Sequence, residues 1–470
     1  MFSTNFNQQV RKEVIGLNTK VSVSKNRYLQ YINFDNAAST PSFKQVFKKI
    51  EDFLSWYSNV HRGTGFKSQI SSEIYEKTHQ VIGNFMGVDL KKNTIILVKN
   101  TTEAINKLAN SLQLSSEDIV ITTLMEHHSN ILPWRNKAQV VYSDLTSSGH
   151  LDLNDLEKKL KKHQKKVKLV AVTGASNVTG VLNPIYDIAR LAHQYNAKIL
   201  VDAAQLAPHR PINIKPNHSP EHIDYLAFSA HKMYAPFGTG VLIGPQETFQ
   251  NQPPDYSGGG TVKSVTLDDV IWANLPDKEE AGTPNIIGAV ALQESIKTIE
   301  QLGWQNIIKA EKELITYTLK KLQQLPKIKL YGLNDLKNPS KNVGLISFNI
   351  KPLPHSLVAT ILAHEAGIGV RSGCFCAHPY VHQLLNLTSA EIKKFKEEIK
   401  KNNFSTSPGM VRISFGCYNT KKEVDRLITT LKSIIERITI NFAFSTQYSL
   451  NPKTGEYCPN NSSFQKKRKN

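Results

Sequence analysis

The chain has 470 residues, 40% of them hydrophobic and 21% charged, and its 58 Lys and Arg against 39 Asp and Glu give a formal net charge of +19. That length suits two or three domains of roughly 100–200 residues each, and the composition excludes disordered and fibrous classes. No apolar run approaches the roughly 18 residues of a membrane helix, so a soluble, cytoplasmic protein with no membrane association is expected.

Residues 1–27 read as an N-terminal extension, because Arg11, Lys12, Glu13, Lys20, Lys25 and Arg27 interrupt the stretch where a secretory leader would be apolar. Residues 28–285 read as a large α/β domain. Within it, short β-branched runs at 94–98, 119–122, 139–142, 168–172, 198–201, 225–228 and 239–243 alternate with amphipathic stretches. Runs apolar on both faces require helices on both sides, which predicts a three-layer, mostly parallel sheet with its ligand at the loops after the strand ends. Lysines crowd 158–168 at helical spacing, as a solvated face would, and nucleic acid is not expected as a partner. Residues 286–440 read as a smaller α+β domain. It opens with a helical stretch over 286–324 broken at Gly303, and continues with strands at 343–350 and 367–371 and a helix over 421–437. A charged segment at 386–409 interrupts it, and 441–470 form a polar basic tail, packed if at all through Tyr448 and Tyr457.

Four cysteines, Cys374, Cys376, Cys417 and Cys458, are too few for a disulfide framework. At least one is therefore expected to be kept for its reactivity. Asn100-Thr101-Thr102-Glu103 follows a strand and opens a helix with a capping-box pattern. Amides, the helix dipole and hydroxyls at such a terminus suit a phosphate. Asp202 ends the strand 198–201, with Gln205 in the loop beyond it, and the strand 225–228 runs into Ser229-Ala230-His231-Lys232. Alone, Asp202 reads as a helix cap and Lys232 as a solvent-facing amine. Together, an anion cradle, a carboxylate and a lysine at successive strand ends match what pyridoxal phosphate requires: an anion site, a partner for the ring nitrogen and an amine for the aldehyde.

The segments Val60-His61-Arg62-Gly63, Thr101-Thr102-Glu103, Met125-Glu126-His127-His128-Ser129-Asn130, Ser176-Asn177-Val178-Thr179-Gly180, Val201-Asp202-Ala203-Ala204-Gln205, Ser229-Ala230-His231-Lys232, Glu280-Ala281-Gly282-Thr283-Pro284-Asn285 and Arg371-Ser372-Gly373-Cys374-Phe375-Cys376-Ala377 occur in this order. With them the chain resembles the class V, fold-type I pyridoxal-phosphate-dependent transferases, and within these the cysteine desulfurase and selenocysteine lyase branch of the SufS type. The resemblance implies that Lys232 holds the cofactor covalently, Asp202 pairs with its ring nitrogen and His127 stacks on its face. Gln205 and Asn177 would lie near the phenolic oxygen and the substrate. Thr101, Thr102, Ser229 and His231 would surround the phosphate, joined by Thr283 from the second subunit of a homodimer. Arg412 would clamp the substrate carboxylate, with His61, Arg62 and Arg371 at the mouth of the site. L-Cysteine would become L-alanine, leaving a persulfide on Cys376 for a sulfur-acceptor protein, with Arg371 a source of positive charge near that thiolate.

Cys374 reads either as a small packing residue or as a second thiol that relays sulfur. Cys-x-Cys with His378 and His382 completes no common metal pattern, so no metal is expected. Gly174-Ala175 stand where the branch commonly has His-Val, and both the 386–409 segment and the tail exceed its compact members. Cys-Phe-Cys with a lengthened loop also resembles the aminotransferase-like part of molybdenum cofactor sulfurases. Other class V chemistries, selenocysteine lyase, aminotransferase and cysteine lyase, remain alternatives, because cofactor residues alone do not define the reaction.

Overall fold

The seven apolar runs become strands of one sheet in the computed structural model, which describes residues 2–61, 63–332, 341–440 and 442–460. They are β1 (Asn93–Val98), β2 (Ile119–Thr123), β3 (Gln139–Ser143), β4 (Val167–Thr173), β5 (Lys198–Asp202), β6 (Tyr225–Ser229) and β7 (Gly240–Pro245), in the spatial order β1-β7-β6-β5-β4-β2-β3. Neighbours are parallel except β7, which runs antiparallel to both β1 and β6. Side chains alternate across a strand, so both faces can be apolar only if both are covered. Ile121, Val170, Val172, Ile199, Val201 and Phe228 belong to one buried cluster, whereas Val120, Leu169, Ala171, Leu200 and Ala227 belong to another beneath the Thr101–Ser111 helix. The expected three-layer arrangement is therefore present.

A second, antiparallel sheet follows: β8 (Ile328–Tyr331), β9 (Leu345–Ile350), β10 (Arg371–Gly373) and β11 (Met410–Ser414), ordered β8-β9-β11-β10. The helical stretch before it is two helices, Ile286–Leu302 and Trp304–Gln323, separated by Gly303 at φ 79°. The single strand expected at 367–371 is divided. Ile368–Gly369 pairs in parallel with Ile32–Asn33, and the chain then crosses to β10, where Arg371 is opposite Arg412. One short strand thereby ties the second sheet to the start of the chain.

The 386–409 segment contains a helix, Ser389–Lys400, with a capping box at Thr388 and Glu391 and no fully buried residue. The tail is more ordered than its composition suggests. Tyr448–Asn451 and Glu456–Pro459 form a hairpin against the His355–Ala366 helix, where Tyr448 is buried and donates to a Glu365 carboxylate oxygen at 2.6 Å, and Thr360 donates to the Tyr457 carbonyl at 3.1 Å. Both expected tyrosines therefore pack. At the other end, Phe6 and Val10 of the Phe2–Glu13 helix enter the main core. Among the described residues no helix is long and apolar enough to cross a membrane.

Candidate active site

The loops after β1, β2, β4, β5 and β6 converge on one edge of the sheet, where they meet the Ala37 segment and β10 and β11 of the second sheet. They enclose a cavity of about 560 Å³. Its lining includes Thr101, Thr102, His127, Asn177, Asp202, Gln205, Ser229, His231, Lys232, Arg371, Cys376 and Arg412, residues that span more than three hundred positions of sequence.

One end of the cavity is the N-terminus of the Thr101–Ser111 helix. Asn100 Oδ1 accepts from the Glu103 amide at 3.0 Å, while the Glu103 carboxylate accepts from the Lys99 amide at 2.5 Å. The reciprocal cap thus closes one residue earlier than the simplest box. Ser229 Oγ accepts from the Thr101 amide at 2.8 Å and lies 2.6 Å from Thr101 Oγ1, and the Thr102 hydroxyl lies 2.7 Å from that of Ser129. A Cβ at residue 240 would stand 2.5 Å from Asn100 Cα, so only glycine lets β7 pass this close to the helix start. Ser229 Oγ and Asn100 Oδ1 take the Thr101 and Glu103 amides, so what this end offers an anion is the Thr102 amide with the Thr102 and Ser129 hydroxyls and the positive end of the helix.

At the centre lie Lys232 and Asp202. Burial lowers the Lys232 amine to about 8 against the opposing pull of Asp202. Burial also raises the Asp202 carboxyl, whose Oδ1 accepts from the Ala204 amide at 2.9 Å. His127 is lowered to about 4 by burial and then by Lys232, so its ring is neutral. Its Nδ1 accepts from the Ser129 amide at 3.2 Å, which leaves the ring proton on Nε2. Burial likewise lowers His231 to about 4. Gln205 Nε2 donates to the Ala37 carbonyl at 2.7 Å, while its Oε1 is buried with no partner.

The opposite wall carries Arg412, buried at 3% exposure, which donates to the Asn177 carbonyl at 2.7 Å and to Asp35 at 3.0 Å. Arg371 approaches the other Asp35 oxygen at 3.6 Å. Asp35 was not among the residues singled out from sequence, although an acid after a short strand is the same signal that drew attention to Asp202. The Arg412 Nε is buried and unpartnered, so the guanidinium keeps a donor for a further anion.

Cys376 is exposed on a turn in which Phe375 and Cys376 both take left-handed backbone angles, φ 53° and 55°. Such angles cost of order 1 kcal/mol or more for each non-glycine residue. Three bonds hold the turn: the His128 amide donates to the Cys376 carbonyl at 2.7 Å, Asn177 Nδ2 to the Phe375 carbonyl at 2.7 Å, and the Ala377 amide to the Cys374 carbonyl at 2.9 Å. Cys374 is buried, its thiol pushed up to about 12 and donating to the Pro408 carbonyl at 3.1 Å. The two cysteines are thus unlike: one is an accessible sulfur facing the cavity, the other a packed thiol that stays protonated.

Of the remaining expected site residues, His61, Arg62 and Thr283, none lines this cavity among the described residues. His61 lies outside the cavity, edge-on to Tyr75 at 5.9 Å between ring centroids. Arg62 lies outside the described residues. Thr283 lines a separate cavity with Tyr75 and Glu280, not the one that holds Lys232 of the same chain. Gly174 has a simple spatial reason: a Cβ there would meet Leu206 Cδ2 at 2.7 Å.

Residues 32–427 match the protein family described as Aminotransferase class-V. The chain belongs to this family. The class-V chain is 35% identical over 415 residues to the "Probable cysteine desulfurase" of Halalkalibacterium halodurans, with 86% of this chain and 93% of the relative covered. It is 33% identical to the protein of that name in Borreliella burgdorferi, covering 92% and 96%. Among solved structures it resembles the apo cysteine desulfurase of Thermococcus onnurineus, with a TM-score of 0.77 and 33% identity over 91% of this chain and 98% of that one. Against the cysteine desulfurase CsdA of Escherichia coli the TM-score is 0.75 at 27% identity, covering 92% and 98%.

Proposed function

We propose that the protein is a pyridoxal-5'-phosphate-dependent cysteine desulfurase that converts L-cysteine to L-alanine, retains the sulfur as a persulfide on Cys376, and works as a cytoplasmic homodimer. The observation that carries this reading is an exposed cysteine on a strained, tightly bonded turn in the same cavity as a buried lysine of depressed basicity and a buried arginine with a free donor.

The residues fit the cofactor. Lys232 offers an amine, Asp202 a carboxylate for the ring nitrogen and His127 a neutral ring for stacking. The helix start with Thr101, Thr102, Ser229 and His231 suits the phosphate, and Gln205 has a buried oxygen without a donor. Bound pyridoxal phosphate supplies an electron sink for charge developing at the substrate Cα. The chain's own groups do the rest. Arg412 fixes the α-carboxylate, so that the Cα proton faces Lys232, which takes it up as a general base when its amine is free. The Cys376 thiolate attacks the substrate sulfur: an S–S bond forms, the C–S bond breaks and the substrate carbon is protonated, so that cysteine and enzyme thiol become alanine and enzyme persulfide. The thiolate is the reactive form of that sulfur.

A second copy is supported by Thr283, which lines a different cavity from that of its own Lys232, and by Leu54, Trp56, Tyr57 and Phe66, all exposed. The deciding experiment follows products from L-cysteine. Alanine and sulfane sulfur in equal amounts are expected; pyruvate and ammonia would overturn the proposal.

A further inference from the structure

Behind the Cys376 turn is a second cavity, of about 690 Å³, that the chemistry above does not use. Its walls come from the stretch containing His128 and Arg135, from the start of the His378–Leu385 helix, and from Lys396 on the Ser389–Lys400 helix. We propose that this groove docks the protein that removes sulfur from Cys376, by receiving an acidic segment that also carries an apolar side chain. The proposal rests on the desulfurase reading and extends it to the class of partner.

Three observations point to that occupant. The first is charge. Arg135 and Lys396 line the groove together with the imidazoles of His128, His378 and His382, and no Asp or Glu is among the lining residues. Arg135 donates to the Tyr142 hydroxyl at 2.9 Å, and no carboxylate lines the groove beside it or Lys396. His382 Nε2 is buried without a partner. Two fixed cations are too few to follow a nucleic-acid backbone, whose binding scales with the number of phosphates neutralised, but they match a short acidic peptide.

The second is apolar surface without a cover. Leu132 in the groove is 53% exposed. The Ser389–Lys400 helix has a full capping box yet buries no residue completely, and its Ile392, partly exposed, lines the groove beside Leu132. A helix is ordinarily held by burial of its apolar stripe, so this one has surface available to a partner.

The third is connection to the nucleophile. The His128 amide holds the Cys376 carbonyl at 2.7 Å, and the His128 and His378 rings stack at 4.8 Å between centroids, with 2.9 Å between His128 Nε2 and His378 Nδ1. His378 follows Cys376 by two residues, at most about 7 Å along the chain. A segment seated in the groove therefore rests against His128 and His378, the residues that hold and follow the exposed turn. The transfer balances without an added oxidant or reductant. The acceptor thiolate attacks the outer sulfur of the persulfide, a new S–S bond forms, the Cys376 S–S bond breaks, and Cys376 leaves as a thiolate.

The test uses holoenzyme, L-cysteine and two synthetic cysteine-containing peptides of equal length, each with one leucine, one flanked by Asp and Glu and the other by Lys. Mass spectrometry follows peptide persulfide. The acidic peptide should be the faster acceptor by about tenfold at low salt, with the advantage shrinking as salt rises. The double charge reversal Arg135→Glu with Lys396→Glu should abolish or invert the preference while leaving first-turnover alanine unchanged. Equal rates for the two peptides, a preference that survives the double variant, or equally effective competition by single-stranded RNA would each overturn the groove assignment. Absence of first-turnover alanine without any peptide would instead overturn the desulfurase reading.

Discussion

Lys232 shows how burial sets reactivity at a single residue. With its amine lowered to about 8, the neutral, nucleophilic fraction grows as pH rises through that value. Protein stripped of cofactor should therefore take up pyridoxal phosphate faster as pH increases from about 7 to about 9, which stopped-flow absorbance can follow; a flat or falling profile would contradict it. Lys232→Ala should abolish the visible band of the bound cofactor. Cys376→Ser should keep that band while losing at least about a hundredfold in alanine formation, as expected when a nucleophile is removed. Glu126 makes a converse case. Burial raises its carboxyl from 4.5 to about 8, even though Thr123 and Asn130 donate to it at 2.6 and 2.7 Å. A group whose folded pKa is raised contributes stability that is complete below its unfolded value and lost as pH rises through the folded one. Unfolding midpoints should accordingly decline between about pH 5 and pH 8, and Glu126→Gln, which cannot ionise, should flatten that decline.

Strand identity was legible at the scale of elements because fully covered strands have no polar face to disguise them. All seven runs of the large sheet appear within a residue or two of their expected limits. The 367–371 run was legible as extended but not as two strands, since which edge each half joins depends on Ile32 and on Arg412, segments remote in sequence. The tail hairpin was hidden for a related reason: its composition is polar, and the apolar contact that orders it belongs to another helix. Tyr448→Ala should remove a buried ring and the bond to Glu365, costing about 3 kcal/mol by comparison with other buried aromatic truncations. The expected result is a lower melting midpoint with first-turnover chemistry unchanged, and an unaltered midpoint would show that the hairpin contributes nothing to stability.

The proposed homodimer is tested at the scale of the whole molecule. If Thr283 completes the phosphate site of a second copy, then Lys232→Ala and Thr283→Ala subunits should complement after exchange, because one of the two sites in a mixed dimer retains both residues. Cofactor retention above that of either variant alone is the expected signature, with additive behaviour the contrary result. The positive charge also becomes intelligible at this scale. Lys161, Lys162 and Lys165 are exposed around the Leu153–Lys162 helix, as the spacing suggested.

By itself the amino-acid sequence determined the layered α/β fold and singled out Thr101, Thr102, Asp202 and Lys232, which line one cavity. Strand alternation and local caps are short-range properties, and parallel strands deliver their following loops to a common edge. Only the tertiary structure decided that Asp35 braces Arg412 across 377 positions, that Cys374 is a packed thiol while Cys376 is an exposed one, and that the Ser389–Lys400 helix lines a groove with Arg135 and His378. These depend on contacts between distant segments, and on which side of a turn is solvated, and neither is encoded in the spacing of neighbouring residues.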